Sequence, residues 1–168
     1  MLGCLFGKDG GDLRSKADFE DFDLRLDFKI ARMANSGVFL RAKRDDSNPA
    51  YSGCEIQILD DYDWEKEKHE TLKEWQFTGS LYGSVPPGAR DALRPVGEWN
   101  TYEIRYRGTR LAVALNGRAL YDVDVTKVAG DPPFASRAKE GFVGLQHYVC
   151  EGPAGEDVVE FRNLFVRR

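Results

Sequence analysis

From Phe22 to Ile30 the chain alternates without a break. Phe22, Leu24, Leu26, Phe28 and Ile30 are apolar, and Asp23, Arg25, Asp27 and Lys29 between them are charged. Successive strand side chains point to opposite faces, so this pattern specifies a strand with one buried and one wet side. A helix would spread the same apolar residues around its whole circumference. The period of two returns at Tyr102, Ile104 and Tyr106, which alternate with Glu103 and Arg105. It continues through Leu111, Val113 and Leu115, then Leu120, Tyr121 and Val123. Asn116-Gly117 stands between those last two runs, and both residues tolerate positive φ, which a tight hairpin turn requires.

The remaining segments extend this reading. Asn35-Ser36-Gly37 marks a turn before a strand at Val38-Phe39-Leu40-Arg41, and residues 42–52 form a polar loop. A strand is expected at Cys54-Glu55-Ile56-Gln57-Ile58-Leu59-Asp60, another at 142–147 and a last one at 158–166. The stretch from Asp61 to Trp75 is the one helical candidate, and its charge density points to a solvated lid or insertion. No repeat or linker divides the chain, so residues 1–168 are read as one domain. Many short strands with turn signals between them predict an all-β fold, a two-sheet antiparallel β-sandwich of the jelly-roll type.

At 168 residues the chain is long enough for a proper core without disulfide staples. A net charge of −4 with both signs interspersed argues against a nucleic-acid groove or a polybasic membrane patch. No run approaches a transmembrane span. Leu2-Gly3-Cys4 is like the end of a lipoprotein signal, but the basic start and apolar run of such a signal are missing, so it is read as a chance match. Cys4, Cys54 and Cys150 form no C-x-x-C pair. Cys54 and Cys150 border expected strands, and buried free thiols are the expected state.

Chemistry concentrates in the third strand. Glu55 and Gln57 share a face, roughly 6–7 Å apart, while Ile56 and Ile58 face the core. Such a face is either wet or lines a cleft. Arg41 on the neighbouring strand is placed to form an ion pair that orients the Glu55 carboxylate. Asp60 faces the other way in a regular strand, and a bulge would return it to the Glu55 side. The spacing Glu55-x-Gln57-x-x-Asp60 departs from the Glu-x-Asp-x-x-Glu of jelly-roll glucanases, so a two-carboxylate retaining mechanism is not expected. His147, after Leu145-Gln146, has the side chain whose pKa best suits proton abstraction near neutrality. Asp60, Asp61 and Asp63 could together hold a calcium ion, but the spacing is not that of an EF-hand and a plain acidic loop is expected. No metal site or cofactor is therefore assigned.

Eight segments in order resemble the 3-keto-disaccharide hydrolase domain family, which has a concanavalin A-like jelly roll. They are Phe22-Asp23-Leu24, Asn35 to Arg41, Glu55 to Asp60, Thr78-Gly79-Ser80-Leu81-Tyr82, Pro95 to Asn100, Leu115-Asn116-Gly117, Gly144 to His147, and Phe161-Arg162-Asn163-Leu164. Family members usually carry an opening segment with one or two more strands before the part that aligns here, so the resemblance implies a domain 1–168 that lacks those N-terminal strands or begins atypically, with a region 61–77 longer than the usual connection. It also implies a periplasmic or extracellular setting.

The activity implied is cleavage of the glycosidic bond of 3-keto-glycosides, so the expected partner is an oxidised carbohydrate. A ketone at C3 acidifies the C2 proton, a base removes it, the C1 substituent leaves, and water adds back. On this reading His147 or Glu55 is the base, and Asp60 or Tyr82 stands near the leaving group. Arg41 and Gln57 are oxyanion or substrate donors, and Gln146 and Asn35 hold sugar hydroxyls. The competing class is a non-catalytic carbohydrate-binding module, with Trp64, Trp75, Tyr82 or Trp99 stacking on sugar rings. A purely structural interaction domain ranks behind both.

Overall fold

The alternation at Phe22–Ile30 folds as read: all five of its apolar side chains are buried, and Arg25 between them is exposed. The computed structural model describes residues 2–3, 11–148 and 158–168. In chain order its strands are β1 (Leu2–Gly3), β2 (Leu13–Phe19), β3 (Phe22–Ile30), β4 (Asn35–Ala42) and β5 (Cys54–Leu59). They are followed by β6 (Trp99–Arg107), β7 (Arg110–Leu115), β8 (Arg118–Asp124), β9 (Gly141–Leu145) and β10 (Val159–Arg167). Two short helices, α1 (Pro49–Ser52) and α2 (Trp64–Lys68), lie in the loops around β5.

The strands form two antiparallel sheets, one ordered β1-β10-β3-β6-β7-β8 and the other β2-β9-β4-β5. Phe22, Leu24, Leu26 and Phe28 from the first sheet meet Val38, Leu40, Ile56, Ile58 and Leu145 from the second in one continuous core. Phe28 packs on Tyr102 with ring centroids 4.7 Å apart. Burying each of these side chains contributes roughly 1.5–3 kcal/mol, which makes this seam the main source of stability. Asn116 and Gly117 join β7 to β8 with φ of 52° and 79°, the conformation their sequence requires.

Two expectations are corrected. Strand β2 precedes the first strand that alternation revealed; as the outer strand of its sheet it is covered only in part, so it carries no clean periodicity. Helix α2 covers only Trp64–Lys68, and a 3₁₀ turn follows at Glu74–Gln76. The insertion is not simply solvated, because Trp64, Leu72 and Phe77 are buried together against Leu59. Cys54 is a buried free thiol, as expected, and burial pushes its pKa up to about 12, while Cys4 and Cys150 lie outside the described residues.

Candidate functional site

Facing the core with Val38, Leu40, Ile56 and Ile58 leaves Asn35, Gly37, Phe39, Glu55 and Gln57 on the outer face of the four-stranded sheet. Register sets them in rows. Gly37 lies opposite Gln57, and Phe39 lies opposite Glu55 on one side and Gly144 on the other. The Gln146 N–H donates to Gly37 O at 2.8 Å, and Ser36 Oγ donates to Gln146 O at 2.7 Å. Gln146 and Gln57 therefore flank Gly37 from its two neighbouring strands.

Glu55 is the distinctive group. It is only 3 % exposed although it stands on the outer face, and no hydrogen bond reaches its carboxyl from the described residues. A Cβ placed on Gly37 would lie 1.9 Å from Glu55 Oε1, so the carboxyl rests directly above the glycine backbone. Burial first, and the charge of Asp12 second, push its pKa up to about 8. Gln57, 4 % exposed, accepts the Ile58 N–H through Oε1 at 3.1 Å, and Tyr102 Oη donates to its carbonyl at 2.6 Å.

The free side of β5 is closed by residues 78–82, which also place Tyr82. The Tyr82 N–H donates to Glu55 O at 3.0 Å, the Gly79 N–H to Gln57 O at 2.9 Å, and the Gln57 N–H to Ser80 O at 3.1 Å. This pairing protects an edge that would otherwise be open and brings the Tyr82 ring beside Glu55. Burial, with the neighbouring Tyr51, Glu55 and Tyr148, raises the pKa of the half-buried Tyr82 phenol. Trp75 meets Tyr82 edge-on, with centroids 5.1 Å apart. An aromatic rim of Tyr51, Trp75, Tyr82 and Tyr148 thus adjoins the buried carboxyl.

Several expected site residues are placed otherwise. Arg41 does not pair with Glu55. A register shift between Phe39 and Ala42, with φ of 52° at Arg41, turns its side chain off the outer face. There its guanidinium donates to Glu20 O at 2.5 Å, Gly108 O at 2.7 Å and Asp21 Oδ1 at 3.2 Å, and lies 3.5 Å from the Tyr106 ring centroid. Asp60 is fully buried and accepts backbone N–H groups from Met33, Tyr62 and Asp63 at 2.9, 3.1 and 3.3 Å. A carboxylate so engaged shapes its loop. Of the stacking candidates, Trp64 is buried in the insertion, and Trp99 lies in the other sheet beneath Arg162 and Lys29.

Asn35, Gln57, Gln146 and Glu55 share this face by register, and Tyr82 adjoins Glu55. Asn35 Oδ1 is buried with no hydrogen-bond partner among the described residues, and the His147 backbone N–H next to Gln146 donates to Asp12 Oδ1 at 3.0 Å. Asp12, Gly37 and Tyr51 belong to this neighbourhood and were missed in the sequence. Only Gly37, within Asn35-Ser36-Gly37-Val38, carried a local signal, and it was read as a turn.

Among the described residues no group of three or more His, Cys, Asp or Glu side chains could hold a metal ion. Of the acidic run, Asp61 binds Thr78 and Asp63 pairs with Arg32, so the three carboxylates are spent separately. An open hollow of about 730 Å³ lies on the six-stranded sheet, away from Glu55. Several of its charged groups are already paired, Asp23 with Arg105 and Arg167 and Asp122 with Arg110, so it offers no poised acid or base.

The protein is thus a jelly-roll sandwich with a buried carboxyl, amides and aromatic rings on one outer sheet face. The chain belongs to the 3-keto-α-glucoside-1,2-lyase-like domain family, whose model matches residues 3–167. It is 36% identical over 112 residues, 60% of this chain, to a 3-keto-disaccharide hydrolase of Bacteroides thetaiotaomicron. It spans 38% of the length of that relative. Among solved structures it is similar to a protein of Parabacteroides distasonis ATCC 8503 provisionally assigned as a glycosyl hydrolase. The identity is 29% and the TM-score 0.76, over 93% of this chain and 83% of that one. The carbohydrate-binding module CBM66 of Bacillus subtilis shares the fold, with TM-score 0.56 and 18% identity over 95% and 84% of the two chains. The family supports a glycoside-related function, and no helix among the described residues is long and apolar enough to cross a membrane.

Proposed function

We propose that this chain cleaves glycosides already oxidised to the ketone at C3, by elimination followed by hydration, with Glu55 as the base. The single observation that carries the reading is the Glu55 carboxyl, buried above Gly37, free of hydrogen bonds from the described residues and poised near pH 8. A base that must remove a carbon-bound proton gains from such a raised pKa, because basicity rises with it while the ionised form stays accessible near neutral pH. Ordinary glycoside hydrolysis through paired carboxylates has less support, since Gln57 replaces one acid and Asp60 is held by backbone amides.

In the proposed sequence Glu55 takes the C2 proton. The C2–H electrons form the C1=C2 bond, the C1–O bond breaks, and the leaving oxygen is protonated from the Tyr82 side. Water then adds at C1 and gives its spare proton back to the Tyr82 side, while Glu55 returns its own proton to C2, so the net reaction is hydrolysis. The Gln57 amide nitrogen and Gln146 donate to the C3 oxygen as negative charge develops there. Asn35 Oδ1, a buried acceptor without a partner, takes a sugar hydroxyl. His147, next to Gln146 and held at its backbone by Asp12, is the alternative base. A periplasmic or extracellular setting is part of this proposal.

The test is turnover of a 3-keto aryl glucoside beside its unoxidised parent, with and without added divalent metal. Cleavage of the keto form alone, lost in Glu55→Gln, supports the reading; equal cleavage of both substrates overturns it. The second reading, a sugar-binding module, is favoured by the aromatic rim around Trp75 and Tyr82. It predicts retained sugar affinity and no turnover in either protein.

A further inference from the structure

The site contains one carboxylate that the proposed chemistry does not use. Asp12 leads into β2, the strand beyond β9 as seen from Gly37. Leu13 pairs with Leu145, which places Asp12 beside the chain as it leaves β9. Its Oδ1 accepts the His147 N–H at 3.0 Å, and its Oδ2 stands 3.6 Å from Arg14. One residue earlier, the Gln146 N–H is bound to Gly37 O, directly beneath the Glu55 carboxyl. Two consecutive backbone amides thus tie Asp12 and Gly37 to the same short piece of chain.

We propose that Asp12 is a positioning residue of this site, seating the Gln146–His147 backbone beside Gly37 and holding a carboxylate where the chain leaves the strand that flanks it. The inference rests on the proposed role of Glu55 and adds what sets its strength as a base. Among the described residues, the ionisable groups on the elements packed around Glu55 are Asp12 just before β2, Arg14 on β2, His147 after β9, Tyr82 beside β5, and Tyr51 and Tyr148 next to Tyr82. Arg41, the nearest cation in sequence on β4, is turned away to Asp21. Of these groups Asp12 supplies the charge that acts with burial to raise Glu55. A negative neighbour disfavours a second negative charge, so it makes the Glu55 carboxylate scarcer at neutral pH and more basic once formed.

That coupling has a signature that simple structural support lacks. In Asp12→Asn, the half-maximum of kcat against pH moves to lower pH, because Glu55 ionises more readily. The alkaline plateau of kcat falls several-fold, because the base is weaker. Asp12→Glu keeps the charge and holds the half-maximum near the wild-type pH. A half-maximum that stays in place in Asp12→Asn overturns the proposal, whatever happens to the rate. Asp12→Ser serves as a second neutral variant if the Asn protein does not fold.

The readout is doubled by following the ¹³C shift of the labelled Glu55 carboxyl through a pH titration without substrate. A downward move of that titration in the neutral variants, in a protein inert toward keto sugars, supports Asp12 while the proposed activity fails. An unmoved titration in an active enzyme rejects Asp12 and leaves the activity standing.

Discussion

The Glu55 carboxyl lies on top of Gly37, so close that a Cβ at position 37 would stand 1.9 Å from Oε1. Gly37 is not needed here for backbone freedom. Its value is the missing side chain, which lets a buried acid lie flat on the sheet beside Gln57 and Gln146.

Gly37→Ala is therefore expected to push Glu55 off its seat. Since the methyl meets side-chain atoms and not backbone, the stability cost should be modest, about 1–3 kcal/mol. Turnover of a keto glucoside should fall much further than stability. Parallel urea melts and kinetics check this, and a variant as active as wild type would show that the seat does not matter.

Stability should depend on pH with a sign fixed by the same group. Glu55 has a folded pKa of about 8 against an ordinary 4.5, so the folded protein holds a proton that the unfolded chain has released. Its contribution is complete below pH 4.5 and is lost as pH rises toward 8, amounting to roughly 3–5 kcal/mol. Asp61, raised by burial from 3.8 to about 7 against the hydrogen bonds from Thr78, acts in the same direction over a lower window. Denaturant midpoints should thus decline from about pH 4 to pH 8. Glu55→Gln should flatten the upper part of that decline and Asp61→Asn the lower part.

How much of this was legible in the sequence follows from how local each feature is. The alternation of β3, β6 and β7 and the Asn116-Gly117 turn depend on near neighbours, and the sandwich could be read from them. Glu55 and Gln57 could be seen to share a face, but their burial could not, because residues 78–82 and the site's rim come from distant sequence. Arg41 shared a face with Phe39 by simple counting, and one residue at positive φ undid the count. Asp60 looked like a carboxylate awaiting a substrate, whereas three loop amides had already claimed it. Asp12 was invisible because its importance arises only when β2 pairs with β9, more than a hundred residues away.

The aromatic rim should govern substrate affinity more than chemistry. Trp75 touches Tyr82 edge-on and lies outside the Glu55–Gly37 seat, so a ring in the leaving group can pack against it. Trp75→Ala should raise KM for a 3-keto aryl glucoside by roughly fivefold, about 1 kcal/mol, with kcat little changed. An equal fall in kcat at unchanged KM would place Trp75 in the transition state instead.

Arg41 supplies the converse case, a residue whose chemistry suggests a site and whose contacts are structural. Its guanidinium is 3 % exposed, joins the carbonyls of Glu20 and Gly108 to the Asp21 carboxylate, and stacks on Tyr106. Arg41→Met keeps most of the volume but strips two carbonyls of their charged donor and leaves Asp21 with the Gly108 N–H in place of a cation. The expected loss is about 3 kcal/mol of stability, measured by thermal or urea unfolding. Because the side chain points away from Glu55, turnover per folded molecule should stay within a factor of about two of wild type. A selective loss of kcat in a protein of undiminished stability would return Arg41 to the list of substrate-binding residues.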